Sequence, residues 1–297
     1  MSTHDSSPAA GIARFNVAAQ ADRVAESAAR RAAVSLTEVH DVPGLRAVSA
    51  LLEAVWGRTD EGVPINTDVL RSLVHAGGCV TAAHDDDGDL VSAAVLSVAA
   101  PAGTTYSLIA AVAPGANDRG IGRAVKLRQR AWALQRDYRT MLWTFDPLVG
   151  RNARFNLAKL GAEAGEYEVA FYGRMSDAIN GDDDSDRLVA RWRLDARRTV
   201  AATEGTNADL LGPAADAPVL AEGPDGAAMV RRDRHGLWCR VPSDIVALRR
   251  HTPAEAARWR LAVRAVLADA FAAGSAATHM TRDGWYLLTD PTHEEVP

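Results

Sequence analysis

The sequence predicts an α/β fold, a mixed central sheet flanked by helices with an additional C-terminal strand-helix-strand segment, and three observations carry that expectation. The first is scale: 297 residues, 47% hydrophobic and 24% charged, can bury a large core and lie outside the ranges of disordered or collagen-like chains. The second is alternation, in which short runs of period two or continuous apolar character are followed by longer runs with apolar residues at three-four spacing. The third is an apolar strand that passes through a glycine-rich turn directly into a helix, at Asn117-Asp118-Arg119-Gly120-Ile121-Gly122.

Residues 1–31, rich in Ala, Ser and charge, read as a mobile arm or a short surface helix. Residues 33–39 alternate as a half-buried strand. Asp41-Val42-Pro43 then opens a helix carrying Leu45, Val48, Leu51, Leu52, Val55 and Trp56. A second helix covers 67–75, capped by Asn66 or Thr67 and stopped by Gly77-Gly78. Strands at 79–84 and 90–98 are joined by Asp85-Asp86-Asp87-Gly88, where Asp-Gly suits a tight hairpin; an EF-hand would need a distal glutamate where Ala94 stands. A strand at 104–113, a helix at 120–137, a buried strand at 140–145 and a short helix at 151–160 ending on Gly161 follow, and then strands at 166–172 and 188–194. Residues 195–226 shift to Ala, Gly, Pro and acids and read as a linker. Residues 227–297 supply a strand at 238–241, a helix opened by the capping box Thr252-Pro253-Ala254-Glu255, and a last strand at 285–288. This C-terminal part completes an acceptor pocket, mediates a homodimer, or forms a degenerate second half; the sequence leaves the three open.

A net charge of -5 and a pI near 5.9 argue against a nucleic-acid partner, because phosphate affinity comes from clustered cations. Two distant cysteines, Cys79 and Cys239, indicate neither a disulfide framework nor a thiolate zinc site, and a reducing cytoplasm fits best. No apolar run is long enough for a membrane span, and eight histidines without an HxH or HExxH pattern give metal catalysis no support.

The glycine turn carries the chemistry. Backbone amides at a helix N-terminus lie on the positive end of the helix dipole and suit a phosphate, and Gly120 and Gly122 let it approach closely. Arg119, Arg123 and Lys126 add charge beside them. A Walker loop would need Gly-Lys-Ser/Thr, and a dinucleotide fingerprint would need three glycines near the first strand; neither is met. The alternative is that the glycines only let helix and sheet pack closely.

The order of elements, with Asn117-x-x-Gly120-x-Gly122 at the turn, resembles the GNAT acyltransferases and their signature Gln/Arg-x-x-Gly-x-Gly/Ala. A narrower resemblance, from about Val34 to Leu194, is to a GNAT subgroup marked by segments matching Trp143-Thr144-Phe145-Asp146-Pro147-Leu148, Arg151-Asn152-Ala153 with Asn156, Lys159-Leu160-Gly161-Ala162, Tyr172-Gly173-Arg174-Met175 and Ser185-Asp186-Arg187. The resemblance implies a GNAT-like domain over residues 32–194 that binds acetyl-CoA or another acyl-CoA as co-substrate and needs no metal. Residues Arg119, Gly120, Ile121, Gly122, Arg123 and Ala124 would seat the pyrophosphate, with Val112, Asn117 and Asn152 as further contacts to the coenzyme. It implies N-acyl transfer to a small amine by direct attack within a ternary complex.

The chain departs from the family at two positions. The strand 104–112 holds no acidic residue where many members place a base, and Leu157 stands where many place a tyrosine acid. Asp146 and Tyr172 are the candidates for proton transfer, and Asp186 beside Arg187 for orienting a polar acceptor, with Tyr172 and Asp186 implied only by the resemblance. For Asp146 the competing reading is a turn carboxylate satisfying amides near Gly150; for Asp186, an acid that pairs at a strand start. Asn152 and Asn156, four apart, fall on one helix face. The missing base and acid keep a second function in view, a non-catalytic CoA-binding regulatory or scaffold protein.

Overall fold

The structure, a computed structural model, describes residues 8–58, 62–173 and 183–290. It divides into two compact units, Met1–Met141 with Arg193–Ala196 and Leu142–Trp192 with Arg197–Pro297. Residues 1–7, 59–61, 174–182 (the expected Arg174 and Met175 among them) and 291–297 lie outside the described set.

The first unit is built on four antiparallel strands in the order β1-β2-β3-β4: β1 (Ser35–Glu38), β2 (Cys79–His84), β3 (Leu90–Ala99) and β4 (Thr104–Val112). Alternation sends Val80, Ala82, Ala93 and Val95 to one face, where α2 (Val42–Trp56) and α3 (Thr67–His75) bury Leu45, Val48, Leu52 and Leu70 against them. Helix α4 (Ile121–Gln135) packs on β2, β3 and β4. The caps follow the sequence: Asp41 accepts from the Gly44 amide and Asn66 from the Val69 amide, both at 2.9 Å. In the hairpin between β2 and β3, one Asp85 oxygen accepts from the amides of Asp87 and Asp89.

The N-terminal reading is corrected. Residues Pro8–Ala32 form one 25-residue helix, α1, packed along α4. A stripe of small side chains, Ala21, Ala25, Ala28, Ala29 and Ala32, allows the close approach. Polar contacts lock it: Asp22 accepts from Arg128 and Gln135, and Gln20 from Arg130.

The second unit carries β5 (Thr140–Phe145, of which residues 142–145 belong here), β6 (Glu163–Glu168), β7 (Arg187–Arg193), β8 (Val219–Glu222), β9 (Ala228–Asp233), β10 (Gly236–Arg240), β11 (Ala276–Met280) and β12 (Trp285–Thr289). Their order is β5-β7-β6-β11-β12-β10-β9-β8. This order contains a repeat. Strand β5, then α5 (Gly150–Arg154) with a π-helical turn (Phe155–Lys159), then β6 and β7, gives the lateral order β5-β7-β6. Strand β10, then α7 (Ile245–His251) and α8 (Pro253–Ala272), then β11 and β12, gives β10-β12-β11, and the two sets meet where β6 pairs β11.

Several expected elements change here. The segment 195–226 is not featureless, since it holds α6 (Arg197–Glu204) and β8. The strand expected over 166–172 runs instead from Glu163 to Glu168 and gives way to a turn in which Ala170 has φ 49°. The short helix switches to π geometry at Phe155, and Arg198 donates to the carbonyls of Leu157, Gly161, Ala162 and Thr278 around its end. The capping box does not form: α7 runs almost directly into α8, and the Thr252 hydroxyl donates back to Leu248 O.

Candidate functional site

The first candidate is the turn between β4 and α4. After Val112 the chain leaves the sheet through Pro114-Gly115, with Ala116 N donating to Ala113 O at 3.0 Å. Asp118 takes φ 66°, and Gly120 caps α4 with φ 83° and ψ 5°, making no side-chain cap. This left-handed conformation is the reason for glycine at 120, because a Cβ would be strained there. The space around it is open: a Cβ built on Gly120 meets nothing within 4 Å, and one on Gly122 meets only the Val112 side chain, at 3.5 Å.

The hydrogen bonds sort the turn's amides into two groups. Arg123 N and Ala124 N both donate to Gly120 O at 3.1 Å, so these two are already used. Among the described residues, no hydrogen bond is made by the amides of Arg119, Gly120, Ile121 and Gly122. Four adjacent N–H groups, those of residues 119–122, therefore stand at the positive end of a 15-residue helix, with Asn117, Asp118 and Arg119 exposed there. Backbone donation of this kind is the chemistry by which helix N-termini hold anions.

The cations around the turn divide as well. Arg123 is half-buried, and burial, aided by nearby Arg31, lowers its pKa. Lys126 turns inward and is not available beside the turn: its residue is 7% exposed, and Nζ donates to Ser107 Oγ on β4 at 2.8 Å. Burial lowers its pKa from 10.5 to about 7. Ser107 Oγ in turn donates to Gln129 Oε1 at 3.2 Å, so the first unit carries a buried polar trio between β4 and α4.

The three catalytic candidates all lie in the second unit, and Arg187 brings them together. Its Nη1 donates to Asp186 O at 3.1 Å and lies 4.0 Å from Asp146 Oδ2, while its Cζ sits 5.3 Å from the centre of the Tyr172 ring. Their environments differ sharply. Asp146, 7% exposed just after β5, accepts from the Leu148 amide at 2.9 Å, from Arg260 through both oxygens at 2.8 and 3.1 Å, and from Arg249 at 2.5 Å. Burial by itself would raise its pKa, but Arg260 and Arg249 outweigh it and lower the value to about 2. Asp186, 0% exposed, accepts from Tyr167 Oη at 2.6 Å, the Ala170 amide at 3.0 Å and Arg264 at 2.8 and 3.0 Å. Tyr172 is 51% exposed, with its hydroxyl 3.3 Å from Thr144 Oγ1. Asn152 is exposed, whereas Asn156 is buried with its Nδ2 unpartnered. The pair straddles the change from α to π geometry after Arg154, and the two side chains differ in burial.

Sequence reasoning missed the residues that hold these carboxylates. Arg249 on α7 and Arg260 and Arg264 on α8 are more than 60 positions from Asp146, Asp183 and Asp186 in the chain. The available signal was Arg260 and Arg264 at i, i+4 beside the buried Trp259, two cations close to an apolar stripe. Among the described residues no group of three or more His, Cys, Asp or Glu is placed to hold a metal ion, and no helix is long and apolar enough to cross a membrane.

Neither a protein-family model nor a curated protein matches the chain. Solved structures do. A GNAT superfamily phosphinothricin acetyltransferase from Sinorhizobium meliloti in complex with AcCoA is 19% identical, with 54% of this chain and 87% of that one covered and a TM-score of 0.43. IAA acetyltransferase from Bacillus cereus is 17% identical over 54% of this chain and 98% of its own, with a TM-score of 0.41. A GNAT family acetyltransferase from Elizabethkingia anophelis with acetyl-CoA bound is 13% identical over 54% and 98%, with a TM-score of 0.40. Over about half its length, the chain is similar to solved acetyltransferases of the GNAT family.

Proposed function

We propose that this protein is an acyl-CoA-dependent N-acyltransferase, with acetyl-CoA its first co-substrate to test and a small amine its acceptor. One observation carries the reading: among the described residues the amides of Gly120, Ile121 and Gly122 at the start of α4 make no hydrogen bond, and the space over the exposed Gly120 is open to a Cβ. Buried or saturated amides there would leave a diphosphate nothing to bind. Arg119 supplies the exposed cation, and Arg123 a second; Arg123 and Ala124 take part through position and side chain, since their amides are spent. In direct transfer the amine nitrogen forms the new bond to the acyl carbon as the C–S bond breaks, the amine gives up a proton, and coenzyme A leaves with its thiol.

Of the three catalytic candidates, Tyr172 is the one to test first for proton transfer. Asp146 is held as an anion by two guanidinium groups, and a carboxylate lowered to about 2 takes a proton poorly near neutral pH. Both Asp186 oxygens are likewise engaged. These same facts favour the second reading, a CoA-binding regulatory or scaffold protein, because two of the three candidates are committed to ion pairs.

Calorimetric titration with acetyl-CoA tests the site. Gly120→Trp should weaken binding at least tenfold by filling the space over the amides. Gly120→Ala carries the same backbone strain without the bulk and should weaken it far less. Equal affinity for Gly120→Trp and the unmodified protein removes the assignment. Thiol release across an amine panel separates the two functions: tight acetyl-CoA binding with no release for any amine selects the non-catalytic one.

A further inference from the structure

We propose that Arg264, supported by Arg260, is a positioning residue that fixes the turn after β6 and thereby holds Tyr172 in place; the inference rests on the acyltransferase reading and assigns part of its machinery to the C-terminal helices. Strand β6 ends at Glu168, and the chain enters a turn whose Ala170 has φ 49°, a left-handed conformation that a residue with a Cβ adopts only when its surroundings enforce it. The enforcing contact is visible. The Ala170 amide donates to Asp186 Oδ1 at 3.0 Å, and Asp186 is itself gripped through both oxygens by Arg264, whose Nη2 also reaches Asp184 at 2.7 Å. Two residues on, the Tyr172 amide donates to Ser185 Oγ at 2.9 Å, and that hydroxyl donates to Gly173 O at 2.6 Å.

The run 183–186 is thus held from the α7–α8 side and holds the 170–173 turn in its place. Asp183 accepts from Arg249 at 3.0 Å and from Arg260 at 2.8 Å, so each aspartate of the run faces a guanidinium contributed from more than 60 residues away. The side chain so placed is the exposed Tyr172, with Phe171 packed edge-on at 4.7 Å. Arg264 touches neither Tyr172 nor Thr144 in any recorded contact; it acts through Asp186. The repeat within the unit gives the arrangement its logic. Helices α7 and α8 occupy in the second strand set the place of α5 and the π turn in the first, and their arginines are directed at the first set's loop.

Arg264→Met and Tyr167→Phe test the inference in the full chain, by amide hydrogen exchange and steady-state kinetics. Arg264→Met should speed exchange at residues 168–173 at least tenfold relative to the rest of the second unit. It should also lower kcat at least tenfold, with KM for the amine within about threefold and acetyl-CoA affinity within about twofold. Tyr167→Phe removes one of the bonds to Asp186 and leaves Arg264 in place; it should lower kcat two- to fivefold with the same unchanged KM, and it carries the test if Arg264→Met does not fold. Unchanged local exchange, a uniform rise across the unit, or a KM increase at constant kcat overturns the proposal. If the unmodified protein binds acetyl-CoA but releases thiol with no amine, the acyltransferase reading falls. The exchange result still decides whether Arg264 holds the turn.

Discussion

Two turns, one in each unit, show how differently a glycine can be used. Between β4 and α4, Gly120 stands at φ 83° with nothing within 4 Å of a built Cβ, and the neighbouring amides are unbonded. Between β9 and β10, Gly236 has φ 143° and a Cβ there would lie 2.3 Å from Leu288 O. The polar groups of this second turn are saturated: Asp233 accepts from the amides of His235 and Ala214 and from Trp238 Nε1. The first glycine serves an opening, the second a close approach of backbones. The lesson is that a binding turn is recognised by the donors it leaves over, while a turn that only builds the sheet uses its donors internally. The ion network around Asp146 also spends its acceptors internally, with the carboxylates of Asp146 and Asp183 paired to the guanidiniums of Arg249 and Arg260 in a buried setting.

The comparison can be broken at its strongest point by Arg260→Met. Removing one partner from a buried pair leaves Asp146 and Asp183 under-compensated, and urea unfolding should show a loss of about 3–5 kcal/mol. A loss below about 1 kcal/mol would mean that the network is wetter and looser than described. Gly236→Ala comes next. With backbone in the way rather than a movable side chain, it should cost roughly 2–3 kcal/mol in the same assay.

A pH series sharpens the contrast further. Asp146 has a folded pKa lowered from 3.8 to about 2, so its contribution is fully present above 3.8 and is lost as pH falls toward 2. The loss across that window should be on the order of 2 kcal/mol, and Asp146→Asn should abolish its slope. The buried His279, lowered by burial from 6.5 to about 4, acts in the separate window above it: the unfolded chain binds the proton first, so stability also falls as pH drops from 6.5 to 4. Acid titration of the His279→Gln variant should remove that upper slope and leave the lower one.

The smallest effects belong to the open turn. Gly120→Ala should cost about 1 kcal/mol, through backbone conformation alone. Gly122→Ala, at a position without positive φ and with only an ordinary 3.5 Å contact to Val112, should be neutral or stabilising by about 0.5 kcal/mol. Thermal unfolding of the two alanine variants checks the pair; equal losses would erase the distinction drawn between the two glycines.

Much of the architecture is legible from local signals. Asp41 and Asn66 cap the helices that they precede, and the Asp-rich hairpin closes with Asp85 as its acceptor. The strand–glycine–helix junction starts α4 at Ile121. Other features mislead because local pattern is not contact. An alanine-rich leader looks like a poor surface helix until the stripe from Ala21 to Ala32 meets α4. Lys126 looks like a phosphate contact by its distance from Gly122, yet its position on the helix turns it toward Ser107. Asn152 and Asn156 look equivalent by spacing, yet one is exposed and the other buried.

The sequence by itself determined where chain direction changes, which faces are apolar, and that a glycine turn opens one basic helix, because turn chemistry and periodicity act over a few residues. Only the tertiary structure decided that Asp146 and Asp186 are locked rather than poised, and that the C-terminal helices hold the Tyr172 turn. Ion pairing in a buried setting depends on separations of a few ångströms between groups as much as 114 residues apart, as for Asp146 and Arg260, and no local pattern encodes that distance.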